Sequence, residues 1–330
     1  MRKKLLIGIL ILIGILIFIA LGGLIVFMTR QQDPVIEQIE TVYMKDGLIQ
    51  AYDRNDAQRL SESLGQYMMY LLEIGDAQRF AEQVDILRKQ FLVTSEEVDF
   101  IKWELTPKTA TNAIVDDFRI SNALIAAAKR FDEPTYQQLS RRIDDGIIEH
   151  MKVSGIPIDF YDWNLKMQTN ELRLNYLDAT ALKRLNLVEP VQEVLQAAPR
   201  SGPFFHEIYL PEDKQYKMAD KKEVNMIDQA LIAIVSEELT GKQDEAFYAF
   251  VYQEMGKGKL YARYDRSTAA PRSDDESSSV YALLLPYVSK DIQRKMTERL
   301  NQIDLTNAKT THVFDFLNEA IMQVQTSTQK

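Results

Sequence analysis

RLSESLGQYMMYLLE, residues 59–73, carries Leu64, Tyr67, Met68, Leu71 and Leu72 at the spacing of one face of an α-helix. Just ahead of that stripe stands Glu62, between Ser61 and Ser63. Two readings are open here. In the first, Ser61 or Ser63 caps the helix, Ser63 and Gln66 form a capping box, and Glu62 simply suits the positive end of the helix dipole. In the second, Glu62 is placed for chemistry. Gly65 favours the second, because glycine costs about 1 kcal/mol relative to alanine inside a helix, and a missing side chain leaves room for a ligand.

The same helical spacing recurs along the chain, with few strand signals. It predicts helices over residues 34–52, 63–74, 77–90, 118–131, 135–150, 179–184, 224–240, 244–255, 277–288, 290–303 and 311–324. Stretches around VSGIPIDFYDWN and GKLYARYDRSTAAPRSDDESSS read as long loops or short ribbons, which in compact domains are often functional. The fold class expected is all-α. No repeat of 34 or 40 residues is visible, which argues against a solenoid. Several helices are apolar nearly all round, which suits an inner ring sheltered by an outer one.

Residues 5–28 contain no charge, a length that exceeds the roughly 20 residues needed to span a bilayer core. A cleavable signal peptide has a shorter apolar region of about 7–15 residues and a small-residue cleavage site, which is missing here. Residues 1–30 are therefore expected to be a basic start and an uncleaved transmembrane anchor. Arg2, Lys3 and Lys4 precede the span and Arg30 alone follows closely, so the N-terminus is expected in the cytoplasm and residues 31–330 outside the membrane. The chain has no cysteine, hence neither a disulfide framework nor a lipidated cysteine. Residues 1–30 hold four basic and no acidic residues, so the other 300 carry a net charge of −13. Such an acidic domain argues against nucleic acid or anionic lipid as its ligand, while neutral or cationic polymers fit.

Two further acidic positions accompany Glu62. In NAIVDDFRISNALIAAAKRF, residues 112–131, Asp117 lies one turn before Ile120 on an apolar face, with Asp116 and Arg119 beside it. Either aspartate could instead be a helix N-cap. In EVNMIDQALIAIVSEEL, residues 223–239, Asp228 falls on the stripe of Val224, Ile227, Leu231, Ile234 and Val235. A carboxylate on a buried face must be paired or functional. Trp103 and Trp163 are the only tryptophans, and either could offer a face to a sugar ring or pack in the core. His150, His206 and His312 lack metal-ligand spacing, so neither a metal nor a cofactor is expected. There is no G-x-S-x-G, P-loop or G-x-G-x-x-G, which leaves carboxylates to carry any catalysis.

The segment SESLGQYM, residues 61–68, resembles the Ser-Glu-Gly-x-Gly-Tyr-Gly-Met stretch of glycoside hydrolase family 8. Ala113, Asp117, Ile120, Ala123, Leu124, Ala127 and Phe131 match that family's Asp-containing signature at the right offsets. Trp103 stands where the family has an aromatic sugar platform, and NYLDATALKRL, with Tyr176, is similar to its Asn-Pro-Ser-Tyr region. The resemblance runs in order over roughly residues 58–239. It implies an (α/α)6 barrel, preceded here by the transmembrane helix, and an inverting glycoside hydrolase cleaving a β-linked exopolysaccharide outside the membrane. By position, Glu62 would be the general acid and Asp117 a sugar-binding or barrel-organising carboxylate. Asp116, Arg119, Trp103 and Tyr176 would join it in binding.

The sequence departs from the family in two places. Val115 stands where the family has an aspartate, for which Asp116 could compensate. The family's Asp-Ala-x-Arg-x-Pro-Trp-Arg string is absent; Asp228 is the best candidate base and Asp220 the fallback. The resemblance points to a divergent, membrane-anchored branch associated with exopolysaccharide synthesis systems, whose synthase components are possible partners. The rival reading is a noncatalytic polysaccharide-binding protein or scaffold on the same barrel. A weaker rival is an assembly factor whose barrel binds protein.

Overall fold

The computed structural model describes residues 33–328. The expected membrane span lies outside the described residues, among which no helix is long and apolar enough to cross a membrane. The chain divides into two compact units, residues 1–42 and 43–330. In the first, the Asp33 carboxylate caps helix α1 (Pro34–Gln38) by accepting from Val35 N (2.8 Å) and Ile36 N (3.2 Å), with Pro34 where no helix donor is needed.

The second unit alternates inner and outer helices. The inner ones are α2 (Ser61–Ile74), α4 (Ile114–Arg130), α6 (Ala179–Arg184), α8 (Met226–Thr240), α10 (Ser278–Leu284) and α12 (Val313–Thr328). Each packs on the next, and α12 packs on α2, closing a ring of six. Against this ring lie α3 (Ala77–Ile86), α5 (Pro134–His150), α7 (Val188–Ala197) and α11 (Lys290–Leu300), and α9 (Glu245–Lys257) packs on α11. The closed inner ring of six helices of the expected (α/α)6 arrangement is therefore present, with five outer helices among the described residues of this unit.

The connections alternate in length, and this decides where a site can form. From an inner helix to its outer partner the chain turns tightly. Gly75, at φ 78°, ends α2 in the left-handed region, and Asp76 then caps α3 by accepting from Arg79 N at 3.0 Å. From an outer helix to the next inner one the chain is long and carries short hairpins, such as Leu92–Ser95 with Val98–Ile101 and Ile208–Leu210 with Gln215–Lys217. All the ribbons thus gather at the end of the ring where the inner helices begin. The Arg266–Glu207 pair, 2.5 Å apart and buried, anchors one of them, since Glu207 also accepts from Gln229 Nε2 of α8 at 2.7 Å.

Three expectations are corrected. The helix expected over 34–52 breaks after a π-turn (Ile39–Tyr43) into a hairpin, Met44–Lys45 with Leu48–Ile49. Asp46 and Gly47, at φ 55° and 75°, form its turn. Helix α7 was not among the expected helices; its Pro190 sits in the first turn, where its missing N–H is not needed. Helix α8 buries Met226, Gln229, Ala230, Ile232, Ala233 and Val235, so its buried face is rotated from the expected stripe, and Ile227, Asp228 and Leu231 are only half-buried.

Candidate active site

Five carboxylates occupy the first turns of four inner helices: Glu62 on α2, Asp116 and Asp117 on α4, Asp228 on α8 and Asp315 on α12. The alternation of short and long connections puts these first turns at one end of the ring, among the ribbons.

Glu62 caps nothing. The N-cap position of α2 is Leu60, which has no side-chain capping bond, and Gln66 donates to Asn318 Oδ1 at 2.7 Å instead of closing a capping box. Ser61 turns away from its own helix. Its N–H donates to the Trp103 carbonyl at 3.0 Å and its hydroxyl to Asp116 Oδ2 at 2.6 Å. The Glu62 carboxyl is pushed up to about 7, first by burial and then by Asp116 and Asp315, against the pull of Arg119. Arg119 Nη1 in turn donates to Asp116 Oδ1 at 2.5 Å, and its guanidinium lies 5.9 Å from the Phe314 ring centroid.

The explanation of Gly65 as clearance for a ligand is overturned. A Cβ there would meet Ile120 Cγ1 at 3.0 Å and Arg119 Cδ at 3.1 Å. Glycine lets α4 close on α2 and lays the Arg119 stem across the gap, which brings its charged end to Glu62 and Asp116.

The paired aspartates divide. The Asp116 carboxyl is buried with Ser61 and Arg119 in the Glu62 cluster. Asp117 is 1 % exposed and faces inward, where Asn112 Nδ2 donates to it and Asn112 Oδ1 accepts from Tyr161 N at 2.9 Å. Burial holds the Asp117 carboxyl well above its ordinary range. Neither aspartate is the N-cap of α4, a position taken by Ala113.

A second cluster surrounds Asp228. Asn175 Nδ2 donates to its Oδ1 at 2.9 Å. Its carboxyl is pushed up to about 6 by burial and Glu207, with Arg173 and Arg263 pulling it down. The backbone N–H of Arg173 donates to the buried Asp159 at 2.6 Å, and the Arg173 guanidinium stands 5.5 Å from the Tyr176 ring centroid. Burial raises the Tyr176 hydroxyl, and it feels both Arg173 and Asp116, so it links the two clusters electrostatically. Asp220 lies on an exposed turn and accepts from Lys222 N (2.6 Å) and Glu223 N (3.0 Å). Trp103 is 37 % exposed beside the start of α2, while Trp163 stacks on Phe100 at 5.8 Å. Sequence reading missed Asp159, Arg173, Asn175, Phe314 and Asp315. Asn175 adjoins Tyr176 in the stretch singled out, whereas nothing local marks Asp315.

No protein-family model matches the chain. YdaJ of Bacillus subtilis (strain 168), whose name designates it a candidate lipoprotein, is 32% identical over 276 residues, 78% of this chain and 74% of YdaJ. The crystal structure of PssZ from Listeria monocytogenes superposes with a TM-score of 0.83 at 38% identity, covering 88% of this chain and 94% of PssZ. Endoglucanase Cel10 of Klebsiella pneumoniae, a family 8 glycosyl hydrolase, superposes with a TM-score of 0.67 at 14% identity, covering 90% of this chain and 100% of Cel10. At that identity the likeness to Cel10 is one of fold.

Proposed function

Since the chain belongs to glycoside hydrolase family 8, in a divergent form similar to PssZ, we propose that it is an inverting glycoside hydrolase acting on a β-linked exopolysaccharide. The observation that carries this reading is Glu62 itself. It is a half-buried carboxyl in the first turn of an inner helix, pushed up to about 7 and flanked by the Asp116–Arg119 pair.

In this reading Glu62 protonates the departing glycosidic oxygen. Asp228, held at one oxygen by Asn175, uses the other to orient and deprotonate the attacking water on the opposite face of the sugar. Inversion requires the two carboxyls to stand roughly 6.5–9.5 Å apart in the working complex, to admit that water. Asp116 and Arg119 bind the sugar next to the cleaved bond, and Trp103 and Tyr176 lend it aromatic faces. Residues 1–30 anchor the chain in the membrane, and residues 31–330 form the extracytoplasmic enzyme, placed to trim or release polymer beside a synthase.

The test is full-length protein in detergent, offered β-linked biofilm polysaccharides, with product anomers followed by NMR. The α-anomer should appear first. Glu62→Gln should lower turnover by roughly 10²–10⁴-fold. Equal turnover by Glu62→Gln would remove Glu62 as the acid. Tight binding without turnover by the wild type would assign the chain a noncatalytic glycan-binding role.

A further inference from the structure

Helices α2 and α12 run parallel and in register. Gln66 of α2 donates to Asn318 of α12 at 2.7 Å, and Gln325 of α12 donates to Glu73 of α2 at 2.7 Å. Both rungs join residues 252 apart in sequence, so the two helices neither slip nor diverge between them. The next rung toward the N-termini is fixed by helix geometry. Glu62 lies four residues before Gln66 and Asp315 three before Asn318, so each sits one turn further along the facing surfaces.

Asp315 is anchored from the other side. Ser279 of α10 donates to Asp315 Oδ1 at 2.6 Å, with Ser277 Oγ at 3.4 Å, and Ser279 Oγ also accepts from Asn318 Nδ2 at 3.0 Å. One serine thus ties both α12 residues of the ladder to the neighbouring inner helix.

We propose that Asp315 is a positioning residue for Glu62: the register of α12 on α2 and its anchor on Ser279 set its carboxylate beside Glu62, where its negative charge keeps the Glu62 proton in place. The inference rests on the reading of Glu62 as proton donor, and it supplies what that donor needs besides burial. Arg119 works the other way, favouring ionised Glu62, and Asp116 is already paired with Arg119. Asp315 adds its charge to that of Asp116 in offsetting that cation. Among the groups around it, His312 is lowered by burial and carries no charge near neutrality, and Tyr43, pushed up to about 12, stays a neutral phenol. On the loop side of Glu62, the Glu104 carboxylate is engaged with Gln58 Nε2 at 3.1 Å.

The experiment is an isotope-edited infrared titration of the full-length chain labelled with ¹³C-glutamate, in which Glu62→Gln identifies the Glu62 carboxyl band. Asp315→Asn keeps an oxygen for Ser279 and deletes the charge. It should lower the Glu62 midpoint by about one pH unit, the size expected of one like charge several ångströms away. Asp315→Glu should restore it, and in active protein the basic limb of kcat/KM should move with the midpoint. An unchanged midpoint in folded Asp315→Asn overturns the proposal. Should that variant lose its cooperative melt, the Ser277→Ala/Ser279→Ala pair, which frees the carboxylate to swing away, serves in its place with the same two outcomes. The titration needs no substrate. An inactive chain with the expected shift therefore defeats the hydrolase reading alone, and an active one without it defeats only this inference.

Discussion

Glu62→Gln should make the protein more stable at alkaline pH and leave it nearly unchanged in acid. The Glu62 carboxyl rises from an ordinary value of 4.5 to about 7 on folding, so the folded state holds the proton more tightly than the unfolded chain. The stability this contributes is fully present below 4.5 and is lost as pH climbs through about 7. The full interval corresponds to about 3 kcal/mol, and the partial exposure of Glu62 screens it to about 2 kcal/mol. Glutamine never ionises and escapes the loss. In a chain of this size that gain is worth roughly 4 °C in Tm.

The assay is thermal unfolding of the full-length wild type and Glu62→Gln, followed by circular dichroism at pH 4.5 and pH 8.5. Were Glu62 an ordinary first-turn carboxylate, the substitution would remove a favourable dipole interaction and cost about 0.3–1 kcal/mol at the alkaline pH. The two readings therefore predict opposite signs. A variant less stable than wild type at pH 8.5, or a difference that does not depend on pH, would refute the argument.

Other outcomes follow from the same geometry. With Asp228 pushed up to about 6 and Glu62 to about 7, kcat/KM should trace a bell, rising as the base ionises and falling as the acid loses its proton; a plateau through pH 8.5 would contradict it. Gly65→Ala drives a Cβ against Ile120 and Arg119, so about 1–3 kcal/mol of overpacking should outweigh the helix-propensity gain of about 1. Activity per folded molecule should fall as well, measured by turnover after correction for folded fraction. Arg184 holds Asp144 at both oxygens (2.9 Å each) and reaches Ser121 at 3.0 Å, away from the Glu62 and Asp228 clusters. Arg184→Ala should therefore cost roughly 3–5 kcal/mol in a denaturant melt by leaving the buried Asp144 without its cation, with Ser121 as its remaining donor.

The ring was legible because its helices announce themselves locally. The apolar stripe of α2, the glycine after Ile74 and the aspartate before α3 are signals within a few residues of where they act. One break was misjudged where two local signals compete. Asp46-Gly47 is a hairpin signal inside a stretch whose helical spacing reads on to Tyr52. Glu62, Asp116, Arg119 and Asp228 were legible as acids and bases at helix starts, but their partners were not. Ser61 meets Asp116 across 55 residues, Asn175 meets Asp228 across 53, and Gln66 meets Asn318 across 252. Such pairings depend on which helices become neighbours in the ring, and no short-range pattern encodes that. Gly65 shows the same limit. Its oddity was visible, but its cause, the approach of α4, belongs to tertiary packing.

The two readings of Glu62 with which the sequence begins are not alternatives. It is a first-turn carboxylate, as are Asp116, Asp228 and Asp315, and the dipole of each helix favours the ionised form there. In an isolated helix that would hold all four low. Closing six parallel helix starts into a ring brings the four acids to one end and withdraws them from water, and desolvation is the largest influence on both Glu62 and Asp228. Burial and like charge overcome the dipole by different amounts at the two sites. Glu62 faces Asp116 and Asp315 with one cation nearby, whereas Asp228 faces Glu207 with Arg173 and Arg263 opposing it. That imbalance raises Glu62 further than Asp228, which is the order the proposed mechanism asks of a proton donor and a base.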